Sequence, residues 1–121
     1  MPTKIENRRR DVRNPIPEFL EAQIEFSAPD GSSQELPLIE LSVSGGSFRM
    51  PQRIPGLKAG VMIDIALIRV GEIEIRSHVE MLHVTRGGGS SYVCGVRLYP
   101  ATDDDRNELI GLVSRLGSVP A

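Results

Sequence analysis

Several residue types are scarce in this chain, and each scarcity argues against a class of function. The single cysteine, Cys94, excludes an internal disulfide, and its apolar and small neighbours predict a packed thiol. Aromatic residues make up only 4% of the chain and tryptophan is absent, which argues against a surface that stacks the bases of RNA. No run of about 18 apolar residues occurs, so no membrane span is expected. We therefore expect a cytoplasmic protein with no DNA or RNA partner.

Groups suited to catalysis or metal binding are also few. His78 and His83 lie five residues apart in a predicted strand, which would point them to opposite faces and make them poor partners for one metal. The acidic run 103–105 precedes an apolar stripe at helical spacing, so it predicts a helix N-terminus rather than a magnesium site. The sequence has no P-loop, no Ser–His–Asp arrangement and no CxxC motif. We expect neither an enzyme nor a bound metal or cofactor.

Charge is distributed unevenly along a chain whose net charge is only −2. Residues 1–13 carry five basic and two acidic side chains, a local charge of +3, which leaves −5 for the remaining residues. A cationic segment on a mildly acidic body suits a small anionic ligand better than a long polyanion.

Hydrophobic periodicity predicts an all-β domain followed by one helix. Residues 1–17 lack periodicity, and Pro15 and Pro17 keep the segment extended, which predicts a flexible, arginine-rich arm. Residues 18–121 are predicted to form a six-stranded antiparallel β-barrel, closed or flanked by a C-terminal helix at about residues 102–117. The predicted strands span residues 19–26, 33–41, 47–50, 61–69, 71–86 and 92–99, with a bulge near Ser77 and His78.

Two short motifs lie ahead of and within these strands. The first is a cluster of four arginines, whose planar guanidinium groups grip phosphates and stack on purines; a solvated basic tail is the plainer alternative. Its members are Arg8, Arg9, Arg10 and Arg13. The second is the small-residue turn from Ser42 to Gly46, where a ligand approaches the backbone closely or where two strands simply join. Glu40, just upstream, can accept hydrogen bonds from a guanine edge or orient an arginine.

Together these motifs resemble the signature of the PilZ domain family. Arg9-x-x-x-Arg13 matches the family's RxxxR arm, and Glu40-x-Ser42-x-x-Gly45 is similar to its [D/N]xSxxG turn. The order of the strands and the closing helix agree as well, so that the resemblance extends from about Arg8 to Leu116. It implies a six-stranded barrel that binds the bacterial second messenger cyclic di-GMP and relays the signal to an effector protein, in control of motility, biofilm or exopolysaccharide synthesis.

The resemblance also implies roles for particular residues. The arm would contact the phosphates and guanine faces of the ligand, the turn would line the barrel side of the site, and Glu40 would meet a guanine edge. Two positions depart from the family pattern: Glu40 is one methylene longer than the usual Asp or Asn, and Met81 replaces an aromatic that stacks on the ligand in some members. Met81 either packs against the ligand or belongs to the core. The implied ligand-binding set is Arg8, Arg9, Arg10, Arg13, Glu40, Ser42, Gly45, Gly46 and Met81.

Two other functions are compatible with parts of this pattern. One is a PilZ-like adaptor that does not bind cyclic di-GMP and works only through protein contacts, for which Glu40 is the best support. The other is a small RNA-binding barrel, against which the acidic body and the few aromatic residues argue.

Overall fold

A computed structural model describes residues 12–117 of the chain. These residues form six strands and one helix in the order that hydrophobic periodicity predicts, preceded by one short additional strand. The elements are β1 (Asn14–Pro15), β2 (Ala22–Ser27), β3 (Ser33–Leu41), β4 (Gly45–Met50), β5 (Met62–Val70), β6 (Ile73–Arg86), β7 (Tyr92–Pro100) and α1 (Asp103–Gly117).

Six of the strands close into an antiparallel barrel. The sheet runs β3-β2-β5-β6-β7-β4, and pairing between β4 and β3 joins its two ends. The additional strand β1 pairs with the end of β3, with Asn14 opposite Leu41 and Pro15 opposite Glu40. Because β4 pairs with the same end of β3, β1 takes the other edge of that strand. The predicted six-stranded barrel with a C-terminal helix is therefore confirmed, with β1 added.

Three irregularities in register shape the barrel. An extra residue in β3 lies between Leu38 and Glu40, and an extra residue in β6 lies between Met81 and His83. The third lies between Ile63 and Ala66, where β5 carries two residues opposite one on β6. The bulge predicted near Ser77 and His78 therefore occurs in that region of the β5–β6 ladder, but the extra residue belongs to β5.

The strand predicted from residue 19 begins three residues later. A turn ends at Leu20, whose N–H donates to the carbonyl of Pro17 at 3.0 Å. Phe19 is consequently 78% exposed rather than paired. Proline at position 17 lacks an N–H and restricts the residue before it, so the chain turns here instead of extending the sheet.

The core fills the barrel with buried side chains from the six long strands and is completed by one face of α1. Phe26 and Phe48 meet inside with ring centres 5.7 Å apart. Cys94 is fully buried, and this burial raises the pKa of its thiol to about 11, as expected for a packed and unreactive cysteine. From the helix, Leu109, Leu112, Val113 and Leu116 are buried.

The helix begins at the acidic run, as predicted. The Thr102 hydroxyl accepts the N–H of Asp105 at 3.1 Å, which caps the first turn. The Asp105 carboxylate accepts the backbone N–H of Arg76 at 3.0 Å and the Thr102 hydroxyl at 2.7 Å. These hydrogen bonds, the one from Arg76 foremost, lower the pKa of Asp105. In residues 12–117 no helix is long and apolar enough to cross a membrane.

Candidate functional site

The turn between β3 and β4 is built around a buried serine hydroxyl. Ser42 is 2% exposed, and its Oγ accepts the N–H of Gly45 at 3.0 Å and lies 3.4 Å from the N–H of Ser44. The Ser42 N–H donates to the carbonyl of Gly45 at 2.8 Å, and its hydroxyl lies 3.2 Å from the same oxygen. In this structure Ser42 therefore closes the turn, and its hydroxyl is directed into the backbone rather than outward.

Both glycines of the turn allow strands to approach closely. A Cβ at Gly45 would collide with the carbonyl oxygen of Val96 on β7. A Cβ at Gly46 would lie 2.7 Å from the carbonyl oxygen of Glu40 on β3. Because both obstacles are backbone atoms of paired strands, no side-chain rearrangement would relieve them. The glycines thus permit the close pairing that closes the barrel at this point.

Pairing of β1 with β3 brings the last arginine of the arm to Glu40. The Arg13 guanidinium donates from Nη1 to the Glu40 Oε1 at 3.2 Å, with the two side chains 40% and 27% exposed. Two further contacts hold the pairing of β1 with β3. The Ile16 N–H donates to the carbonyl of Ile39 at 3.0 Å, and the Asn14 side-chain amide donates to the carbonyl of Leu41 at 3.4 Å. A half-exposed ion pair contributes little to stability, so its main effect is to orient Arg13.

An open depression of about 180 Å³ lies between this ion pair and the turn. It combines two guanidinium groups with the backbone of the turn and an apolar side chain. Its walls include Arg13, Ser42, Ser44, Gly45, Leu82 and Arg97. Opposite the turn, Arg97 faces Gly45 in the β4–β7 register and lies 3.9 Å from the Glu80 carboxylate. The depression is suited to an anion that also carries apolar or aromatic surface.

Two of these wall residues were not predicted. Arg97 is exposed on β7, and its position opposite Gly45 follows only from the strand pairing. Leu82 is the extra residue of the β6 irregularity, and nothing in the sequence predicts that it lines the site. The position of Arg97 between the apolar Val96 and Leu98 is the one sequence signal that it faces outward, and this does not show which residues it meets.

The predicted site residues are partly brought together. Arg13, Ser42 and Gly45 line the depression, and Glu40 contacts it through Arg13. Met81 is 1% exposed and lies opposite Val96 in the β6–β7 pairing. Of its two predicted roles, its position is that of a core residue. The remaining arginines of the predicted set, Arg8, Arg9 and Arg10, lie outside the described residues.

The two histidines do not lie on opposite faces, and that prediction was wrong. The extra residue at Leu82 shifts the alternation of β6, so that His78 and His83 are both on the outer surface. His78 is 43% exposed and its ring lies beside Asp64, whereas the His83 ring covers Gly95. Within residues 12–117 no group of three His, Cys, Asp or Glu side chains is placed to hold a metal ion.

Comparison with known proteins gives relatives by structure but not by sequence. No family model matches the sequence, and no curated protein matches it. The PilZ domain of YcgR from Escherichia coli, solved with c-di-GMP, superposes with a TM-score of 0.76 at 16% identity, over 91% of this chain and 92% of that one. MrkH from K. pneumonia in complex with c-di-GMP superposes with a TM-score of 0.76 at 17% identity, over 88% of this chain.

The alignment with MrkH covers only part of that protein. This chain spans about half of it, 51% in the c-di-GMP complex and 49% in a structure described as a c-di-GMP-dependent transcription regulatory factor. At this level of identity the similarity establishes architecture alone. The barrel, its closure between β3 and β4 and the C-terminal helix together give this chain a PilZ-like fold.

Proposed function

We propose that this chain is a receptor for cyclic di-GMP, which binds between the arginine arm and the depression beside the β3–β4 turn. The observation that carries the proposal is the meeting of Arg13, Ser42 and Gly45 at one depression. These residues come from the two motifs that resemble the PilZ signature, and the fold is shared with a PilZ domain solved with c-di-GMP.

The charges in the depression suit a dinucleotide with two phosphates. Arg13 and Arg97 both line the depression, and such forked guanidinium donors bind phosphate through paired hydrogen bonds. Each arginine has a carboxylate neighbour, Glu40 or Glu80, which orients it and offsets its charge. A phosphate would compete with these carboxylates for the guanidinium groups.

The remaining predicted residues take complementary roles in this proposal. Arg9 joins Arg13 on the phosphates and guanine faces, while Arg8 and Arg10 add contacts from the arm. Glu40 accepts hydrogen bonds from a guanine edge. Ser42 and Gly46 act by shaping the turn, since the Ser42 hydroxyl is engaged with Gly45 and a side chain at position 46 would meet the Glu40 carbonyl. The receptor is non-enzymatic and passes the signal on through protein contacts.

Calorimetric titration of cyclic di-GMP into the purified chain tests this proposal. We expect low-micromolar or tighter binding, weakened at least about ten-fold in Arg13→Ala, since a hydrogen bond to a charged group contributes about 1.5–3 kcal/mol. Arg106→Ala is the matched control, because Arg106 is an exposed arginine of α1 outside the depression.

Two outcomes of the titration would contradict the proposal. Absence of heat from a folded wild-type sample would favour the adaptor that works only through protein contacts. Equal loss of binding in Arg13→Ala and Arg106→Ala would indicate a general effect of charge rather than a site at the depression.

A further inference from the structure

A second group of arginines gathers at the opposite end of the β4–β7 ladder, around Tyr92. The Arg53 guanidinium carbon lies 5.4 Å from the centre of the Tyr92 ring, and that of Arg86 lies 5.9 Å from it. Arg86 is the direct cross-strand neighbour of Tyr92, whereas Arg53 approaches from the loop after β4. The half-buried ring packs against the core, so it provides a fixed support for both cations.

A third arginine is positioned by the tip of the β6–β7 hairpin. Arg49 Nη1 donates to the Ser91 hydroxyl at 3.2 Å and lies where a side chain on Gly87 would begin to crowd it. The hairpin tip is itself closed by the Gly87 N–H, which donates to the Ser91 carbonyl at 2.9 Å, and by the Ser91 hydroxyl on the carbonyl of Gly88 at 2.8 Å. We call Arg49, Arg53, Arg86 and Tyr92 the Tyr92 cluster.

Within residues 12–117, no carboxylate forms an ion pair with any arginine of the Tyr92 cluster. The reason is visible in the sequence: residues 41–63 and 81–102 contain no Asp or Glu at all. Because β4 and β7 pair along the whole of β4, these two acid-free segments adjoin in the barrel. The arginines of the Tyr92 cluster, which come from these two segments, therefore lie together without a counter-charge from either segment.

We propose that the Tyr92 cluster is a docking surface for an acidic segment of a partner protein. Guanidinium groups bind carboxylates through paired, charge-assisted hydrogen bonds, and those of the cluster have none to bind within the described chain. Arginine and tyrosine are also the residue types most often found at the energetic centre of protein interfaces. Holding the guanidinium groups against a ring and a hairpin tip lowers the entropy cost of binding.

The surroundings of the cluster favour a short acidic segment over a long polyanion. Residues 14–40 carry six acidic side chains and no lysine or arginine. This segment includes most of β3, the strand that pairs with β4. A nucleic acid crossing the cluster would extend toward this acidic surface and be repelled, whereas a short peptide need not reach it. The cluster lies about 17 Å from Gly45 along β4, at about 3.3 Å per residue, so it is separate from the depression.

Fluorescence anisotropy with a defined probe tests the docking surface. The probe is a short fluorescein-labelled peptide of alternating glutamate and serine, titrated with the full chain at low salt; the same peptide with glutamine in place of glutamate is its control. We expect binding of the glutamate peptide only, weakened about five-fold by Arg53→Gln or Arg86→Gln. Arg106→Gln, which removes an exposed arginine among the acidic residues at the start of α1, should leave binding unchanged.

Several results would overturn the proposal. A duplex DNA of matched charge that binds more tightly than the peptide would make the cluster a nucleic-acid site. Equal losses in Arg86→Gln and Arg106→Gln would show a response to net charge alone. Concentration-dependent self-association that Arg86→Gln abolishes, measured by sedimentation, would make a second copy of this chain the occupant. A cyclic di-GMP titration of Arg86→Gln, expected to match wild type, verifies folding and separates this proposal from that of the receptor.

Discussion

Two groups of arginines lie at opposite ends of the β4–β7 ladder and differ in their counter-charges. One is Arg13 and Arg97 beside the depression, and the other is the Tyr92 cluster. At the Gly45 end, Arg13 contacts Glu40 at 3.2 Å and Arg97 lies 3.9 Å from Glu80. At the Tyr92 end, the described chain supplies no carboxylate, and a ring and a serine hydroxyl hold the guanidinium groups instead. Arginines paired with carboxylates are oriented but must exchange partners when an anion binds. Arginines held by neutral groups remain available to one.

Glycine-to-alanine substitutions beside the two groups of arginines offer the largest expected contrast, which is one of stability. Gly45→Ala should lower the free energy of unfolding by about 1–3 kcal/mol, because the new Cβ meets the backbone carbonyl of Val96. Gly87→Ala, at the other end, should cost under about 0.5 kcal/mol, because its nearest obstacles, Ser91 Oγ and Arg49 Nη1, are side-chain atoms that can move. Urea denaturation of the two variants measures the difference. Equal losses would mean that β4 and β7 adjust more freely than the pairing at Gly45 suggests.

Placing a carboxylate in the Tyr92 cluster should make its arginines resemble Arg13 and Arg97, which already have carboxylate neighbours. In Ser91→Asp the new carboxylate lies beside Arg49, which the serine hydroxyl contacts at 3.2 Å. We expect affinity for the glutamate peptide to fall about five-fold, with cyclic di-GMP binding unchanged.

Ser90→Asp controls for net charge, since it adds the same charge one residue away at a position with no contact to Arg49 among those described. If both variants weaken peptide binding equally, the specific position of the Arg49 guanidinium is not what the peptide recognises.

Shortening the carboxylate that holds Arg13 should have the smallest effect of the three. Glu40→Asp withdraws the carboxylate from the 3.2 Å contact, so that less energy is spent in freeing Arg13 for a phosphate. We expect cyclic di-GMP affinity to rise by up to about five-fold, the range of a half-exposed ion pair.

Glu25→Asp is the control for this change, because Glu25 pairs with Arg69 at 3.0 Å away from the depression. Isothermal calorimetry compares the variants. Weaker binding by Glu40→Asp would mean that the glutamate is needed at its full length, and that the ligand has adapted to it.

The sequence predicted most of the local structure because the local signals are strong. Period-two alternation placed a strand at Ser33–Leu41, the bounds that the structure has, and the acidic run placed the start of the helix to within a residue. The two motifs grouped Arg13, Ser42 and Gly45, and in the structure these three residues line one depression. In contrast, β1 is two residues long and includes a proline, which leaves no periodic signal to detect.

Residues whose roles depend on register were beyond the reach of the sequence. One extra residue in β6 carries Leu82 to the depression and brings His78 and His83 to the same outer surface. Such an irregularity depends on how three strands fit together, because a single inserted residue reverses the facing of every residue after it. Arg97 joins the site for a similar reason, since only pairing sets it opposite Gly45.

The sequence by itself determined the class of fold, the positions of the turns and helix, and which segments carry which charge, because these depend on neighbours along the chain. Tertiary structure alone decided which charges meet. Pairing of β1 with β3 brings Arg13 to Glu40 across 27 positions, and pairing of β4 with β7 joins two acid-free segments around Tyr92. The physical reason is that strand pairing couples residues far apart in the chain, and electrostatic interactions depend on the distances that result.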